Sequence, residues 1–250
     1  MTRHLNLIIV CICGALVVLL GYEHIALEQR QRPSVYSSYD TGPNGYRALY
    51  EVLHAAGVPV TRFERVVAAL DPSVRTLVIT GYEHDPGAKP LDRRDTDELR
   101  RFVVDGGRLV ALDEEFAGSQ DVTPGVGTSL QTARGAGAIP LAENAFTAGV
   151  RGVRGAISWT FPYKTARGIP LLANKAGIVA IWYRYGRGEV VAVTVPSLFG
   201  NEALRNGDNA RFAYNIIAGH GLVAFDEYIH GYSDSATIWR VLPDAVRAAV

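Results

Sequence analysis

YGRGEVVAVTVPSLFGNEALRNGDNARFAYNIIAGHGLVAFDEYIHGY, residues 185–232, holds a strand, an asparagine-rich loop, a helix, a second strand and then the densest knot of polar side chains in the chain. Glu189 to Val195 is β-branched and almost wholly apolar, the composition of a strand covered on both faces. Gly186 and Gly188 separate it from the apolar run Gly177 to Tyr183, so the two runs predict an antiparallel hairpin. After Pro196 the chain leaves the sheet and carries Asn201, Asn206, Gly207, Asp208 and Asn209. Asp208 or Gly207 is the natural cap of a helix that sets Ala210, Ala213, Ile216 and Ile217 on one face, and Gly219 stops it. Leu222 to Phe225 is then a short strand that delivers Asp226 and Glu227 to its end.

Earlier in the chain the same alternation recurs. An amphipathic helix from Asn44 places Ala48, Leu49, Val52, Leu53 and Ala56 on one face and stops at Gly57. Gly42 and Gly45 flank its start, either as a plain helix entry or as a cradle for an anion on free N–H groups, without the lysine of a P-loop. A strand over Val58 to Phe63, a short helix over Val66 to Leu70 and a buried strand over Thr76 to Thr80 follow. Asp95 to Glu98 resembles a capping box for a helix through Val104, and Gly106-Gly107 turns the chain into a strand over Arg108 to Leu112. Strands alternating with helices at this spacing predict βαβ crossovers. The expected fold is therefore α/β: a mostly parallel sheet with helices on both faces and one antiparallel hairpin. Ala117 to Gly155, rich in glycine and small residues and without a sustained period, reads as an insertion over the carboxyl edge, with no element assigned inside it. Ala156 to Phe161 resumes as a strand.

The glycine turn, the apolar strand, the loop N-x-x-L-x-x-G-D-N-A over residues 201–210 and F-D-E-Y-x-H-G over residues 225–231 resemble a bacterial membrane-anchored family, domain of unknown function 4350. The front of the region matches as well, with Ser37-Ser38-Tyr39 followed by TGPNGYRAL over residues 41–49. The resemblance implies a flavodoxin-like or class I glutamine amidotransferase-like fold, and a partner system built on a MoxR-type ATPase. It does not imply the amidotransferase reaction, which needs a cysteine nucleophile on a strand-to-helix turn. The two cysteines, Cys11 and Cys13, both lie in the amino-terminal apolar run, so the domain has neither that nucleophile nor a disulfide.

That apolar run, Leu5 to Tyr22, is long enough at 1.5 Å per residue to approach the roughly 30 Å of a hydrocarbon core, and no small-residue cleavage site follows it. It predicts a single membrane span over residues 1–22, a linker over 23–36, an α/β domain over 37–235 containing the 117–155 insertion, and a tail over 236–250. The flanks and the resemblance favour an extracytoplasmic domain, and Arg240, Asp244 and Arg247 exclude a complete second span in the tail. With 25 basic and 25 acidic residues and no basic cluster, nucleic acid is not the expected partner.

In open α/β sheets, ligands bind outside the carboxyl ends of the strands. Three predicted strands end in acids: Glu83, His84 and Asp85; Asp113, Glu114 and Glu115; and Asp226, Glu227 and His230. Together they would suit a divalent cation or a general acid/base pair; taken singly, acids there cap helices, bond loop N–H groups or face water. The candidate binding residues are Asn201, Asp208, Asn209, Asp226, Glu227 and His230. Asp226 is expected to accept hydrogen bonds from the 201–209 loop, leaving Glu227 and His230 free for a ligand. The reading is a non-catalytic module at the cell envelope that binds a ligand or protein and needs no cofactor. The alternative is a metal-dependent hydrolase built on the acidic strand ends.

Overall fold

The β-branched runs form strands where expected, yet the sheet they build is a different one. The computed structural model describes residues 35–81, 88–119, 121–123, 130–164, 167–219 and 221–233, together with Gly14 and Val18. The chain divides into two units, Met1–Pro33 with Ser235–Val250 and Ser34–Asp234. In the first, Gly14 and Val18 are helical and exposed. The expected membrane span otherwise lies outside the described residues, as does the tail. Among the described residues no helix is long and apolar enough to cross a membrane.

In the second unit the elements run α1 (Arg47–Ala55), β1 (Val60–Phe63), a 3-10 turn (Val67–Ala69), β2 (Val74–Thr80), α2 (Arg93–Val104), β3 (Arg108–Leu112) and α3 (Glu114–Gly118). There follow β4 (Gln131–Pro140), β5 (Val153–Thr160), β6 (Ile169–Asn174), β7 (Gly177–Tyr185), β8 (Gly188–Val193), a 3-10 turn (Pro196–Phe199), α4 (Asn209–Ile217) and β9 (Leu222–Asp226). The nine strands lie in the order β1-β9-β2-β3-β8-β7-β6-β4-β5. The first four pairs are parallel and the last four antiparallel.

This overturns the expected mostly parallel sheet with helices on both faces: among the described residues it is a mixed nine-stranded sheet with few helices, which pack on the two faces of its parallel half. The difference arises in two places. Residues 131–140 are a strand, QTARGAGAIP, that register shifts break at Thr132/Gly135 and Gly135/Gly137, so it shows no alternation to read. Ile169–Asn174, to which no element had been assigned, pairs antiparallel with β7 and carries β4 and β5 beyond it.

The predicted hairpin is present: Ile181 pairs with Ala192 and Tyr183 with Val190, and Gly186 turns the chain at φ 61°. Strand β8 is the pivot, parallel to β3 on one side and antiparallel to β7 on the other. Its side chains are buried on both faces, as its composition predicts. On one face of the parallel half, Val78, Val110, Val191 and Phe225 pack with Leu49 and Leu53 of α1 and with Phe212, Ile216 and Ile217 of α4. On the other, Leu77, Ile79, Leu109 and Ala111 pack with Leu99 and Val103 of α2. Val52, placed in the core by its spacing, is instead an exposed residue of α1. The capping box of α2 joins Asp92 and Asp95, one turn before the box read from the sequence.

Candidate functional site

Strands β1, β9, β2, β3 and β8 are parallel, so their carboxyl ends share one edge. Asp226 ends β9, Thr80 ends β2, and Asp113 follows β3 as the N-cap of α3. Residues 36–48 lie against that edge. Ser37 Oγ donates to Glu227 Oε2 at 2.5 Å and Ser38 N to Glu227 Oε1 at 2.8 Å, with all three residues at most 1 % exposed. Arg62 donates from Nε and Nη2 to Ser38 Oγ and O, at 2.8 and 2.9 Å, and its guanidinium lies over the rings of Tyr39 and Tyr50. His230 Nε2 and Thr80 Oγ1 share a hydrogen bond of 2.7 Å.

Farther along the same segment, Asn201 Nδ2 donates to Asp40 O and Gly42 O, and its Oδ1 accepts from Ala48 N at 2.7 Å. The backbone joins in, Asn201 N donating to Gly45 O and Glu202 N to Pro43 O. Tyr46, fully buried, donates from its hydroxyl to Pro196 O. At the glycine turn of residues 42–45 Gly42 N donates to Asp40 Oδ1 and Gly45 N to Gly42 O, and at the helix entry that follows Arg47 N donates to Asp40 O.

Two acids on this edge are held in an uncommon state. Asp226 is 3 % exposed; its Oδ1 accepts from Tyr228 N and Ile229 N, and its Oδ2 is buried without a partner. Burial pushes its pKa up to about 7 against the pull of the His230 charge and the two N–H groups. Asp113 accepts from Glu115 N, and burial with the charge of Glu114 pushes it, too, up to about 7. Its carboxylate occupies the space beside Gly81, where a Cβ would lie 1.6 Å from Asp113 Oδ2. Glu227 is also raised, by burial first, while the His230 charge and its two serine partners pull it down.

The expected roles are therefore corrected. Asp226 does not accept from the 201–209 loop; its own following turn serves it. Glu227, expected free, is the buried post to which Ser37 and Ser38 are tied, and His230 is bonded to Thr80. Asn201 and Glu227 meet through the segment they both grip. Asp208 and Asn209 are elsewhere, against β5: Asp208 Oδ2 accepts from Arg151 N and Gly152 N, and it gives α4 no side-chain cap. Asn209, fully buried, accepts from Arg154 N and donates to Arg154 O, Leu198 O and Ala203 O. Glu83, His84 and Asp85 lie outside the described residues. Among the described residues, no group of three or more His, Cys, Asp or Glu side chains is placed to hold a metal ion.

An open concavity lies beside Asp208, a groove of about 1130 Å³ between β4, β5, the β6–β7 turn and Gly207. Exposed Ile139, Leu141 and Tyr163 line it with Arg151, Arg154 and Lys175. The sequence reading missed all six, which are scattered over 37 positions in stretches that showed no motif; the cations in an otherwise small-residue region were the available signal.

A family model described as domain of unknown function (DUF4350) matches residues 38–217. The chain belongs to this family. The match takes in Ser38 and the TGPNGYRAL motif of the DUF4350 domain, the asparagine loop and α4; it ends before β9 and carries no statement about an amidotransferase-like fold. No curated protein matches the sequence. Solved structures similar to the chain include two of low identity. The cytoplasmic protein STM3548 from Salmonella typhimurium has 14 % identity and a TM-score of 0.44, over 69 % of this chain and 85 % of that one. The exo-β-1,4-mannosidase Op5Man5 from Opitutaceae bacterium strain TAV5 has 18 % identity and a TM-score of 0.44, over 68 % of this chain and 30 % of that one.

Proposed function

We propose that this DUF4350 domain acts by binding a ligand or protein at the cell envelope, and not by chemistry at its strand ends. The observation that carries this is the state of Glu227: a general acid or base needs a carboxylate that can reach substrate, and both oxygens of this one are consumed by Ser37 and Ser38 in a sealed site. Asn201 and Asn209 are spent in the same way on main-chain groups. The groove beside Asp208, by contrast, is open to solvent. The apolar run Leu5 to Tyr22 supports attachment to the envelope membrane, and the resemblance supports an envelope protein or MoxR-type ATPase system as its setting.

The reading is tested on the purified full chain with chromogenic esters, phosphate esters and glycosides, with and without zinc, manganese and calcium. No turnover and an unchanged Tm in each metal are expected. Stoichiometric metal binding with turnover that Asp113→Asn abolishes would replace the binding reading with the hydrolase. Carbonate extraction tests the location: the chain should stay with the membrane pellet, and release into the supernatant would remove the envelope from the proposal.

A further inference from the structure

We infer that the groove beside β5 takes an acidic, extended peptide segment with apolar side chains between its carboxylates. This rests on the reading of the domain as a binding module and names the chemistry of its partner. Three cations, Arg151, Arg154 and Lys175, face the groove with a single carboxylate, that of Asp208. That carboxylate is already accepting from two backbone N–H groups. Among the described residues Arg154 and Lys175 make no ion pair, so the groove sets three cations against the one carboxylate of Asp208 and carries a net positive charge. A partner carrying negative charge complements that excess.

Charge alone would suit phosphate, an anionic lipid surface or a peptide, and the apolar side chains decide among them. Ile139, Leu141 and Tyr163 are 60, 49 and 52 % exposed in the same concavity, which is large exposure for such side chains to share with arginines. A small inorganic anion leaves that surface wet, and a bilayer cannot follow a concave wall. A peptide that alternates acidic and apolar residues meets both. One lining group is fixed in advance: Tyr163 donates its hydroxyl to Asn174 O at 2.6 Å. Little of the tyrosine's side-chain entropy is then lost on binding.

The partner is recognised by side chains and not by strand addition. Strand β5 ends the sheet, but its amino-terminal half is closed: Asn209 takes both Arg154 N and Arg154 O, Asp208 N donates to Gly152 O, and Val153 bridges Gly207. A peptide cannot displace these without opening the loop.

The test uses the full chain and a fluorescein-labelled peptide alternating glutamate with leucine and tyrosine, read by anisotropy. The same peptide with glutamine for glutamate, inorganic phosphate, and vesicles of anionic lipid serve as competitors. Expected are saturable binding that weakens with salt, at least tenfold weaker binding for Lys175→Glu and for Ile139→Asp, and no competition by phosphate or by the glutamine peptide. Lys175 lies on an exposed turn, so Lys175→Glu keeps the test valid if Arg154→Glu does not fold. Equal binding by Lys175→Glu and the native chain, or no binding at all, overturns the inference. Displacement by phosphate or by vesicles assigns the groove to a small anion or to a membrane instead. The hydrolysis assay separates the two claims: turnover sinks the binding reading itself, whereas no turnover with no peptide binding sinks only the groove.

Discussion

Asp226 carries a carboxylate oxygen sealed from water with nothing to bond, and its neighbours in charge are Glu227, which raises its pKa, and His230, which lowers it. A carboxyl whose folded pKa is raised contributes stability that is fully present below its unfolded value, near 4, and is lost as pH rises through its folded value. With Asp226 and Asp113 both pushed up to about 7, the domain should melt highest near pH 4–5 and progressively lower to about pH 7, then level off. Asp226→Asn keeps the Oδ1 acceptor and cannot ionise. Its Tm should match the native chain at pH 5 and exceed it at pH 8; a lower Tm at both would mean that the charged form is the stabilising one. Glu227 predicts the opposite kind of mutant. Glu227→Ala orphans the Ser37 hydroxyl and the Ser38 N–H, at a cost of about 3 kcal/mol in thermal or urea unfolding; a Tm equal to that of the native chain would remove its role as the post for residues 36–48. The sequence showed that Asp226, Glu227 and His230 form a polar knot, and it placed Asp226 at the end of a buried strand. It could not show which acid is bonded and which is strained, because the deciding partners, Ser37 and Ser38, stand 190 and 189 positions away.

Strand β5 shows the same limit at the scale of an element. An outer strand exposes a row of backbone groups that would pair with any other chain, and here a loop from the far side of the sequence closes part of it. The amide of Asn209 stands in for a neighbouring strand, taking one N–H and one C=O of Arg154. Asn209→Ala should cost about 3 kcal/mol, on the order of 10 °C in Tm, and should leave the protein prone to self-association seen by light scattering. Loss of stability without association would limit Asn209 to a packing role. The asparagine loop was conspicuous in the sequence, but its target was not, since β4 and β5 were largely hidden in a stretch without period. Hairpin β7–β8 was legible because its apolar runs and glycine turn are local; β4 was not, because its bulges are set by pairing with β5 and β6. The α2 helix lies between, correct in place and wrong by one turn at its cap.

Across the molecule, the sheet joins a parallel half ordered by crossovers to an antiparallel half ordered by hairpins and returns, with β8 belonging to both. The expectation of a mostly parallel sheet fails, because only the strands where Val78, Val110 and Val191 repeat the same buried pattern are parallel and small residues replace that pattern in β4. Strand β9, the last in sequence among the described residues, is not at an edge: Val223 and Ala224 pair with Val60 and Thr61 of β1 on one side and with Thr76 and Leu77 of β2 on the other. Eight of the nine strands therefore exist before the one that joins β1 to the rest. During synthesis, β1 must wait without a neighbour, and β2 with one side open, until residues 222–226 leave the ribosome, so this sheet closes only once β9 has emerged. A chain halted at residue 221 should accordingly be insoluble and protease-sensitive, while one halted at residue 233 should resist proteolysis as the native domain does; protection of the shorter chain would show that the strands can close without their last member.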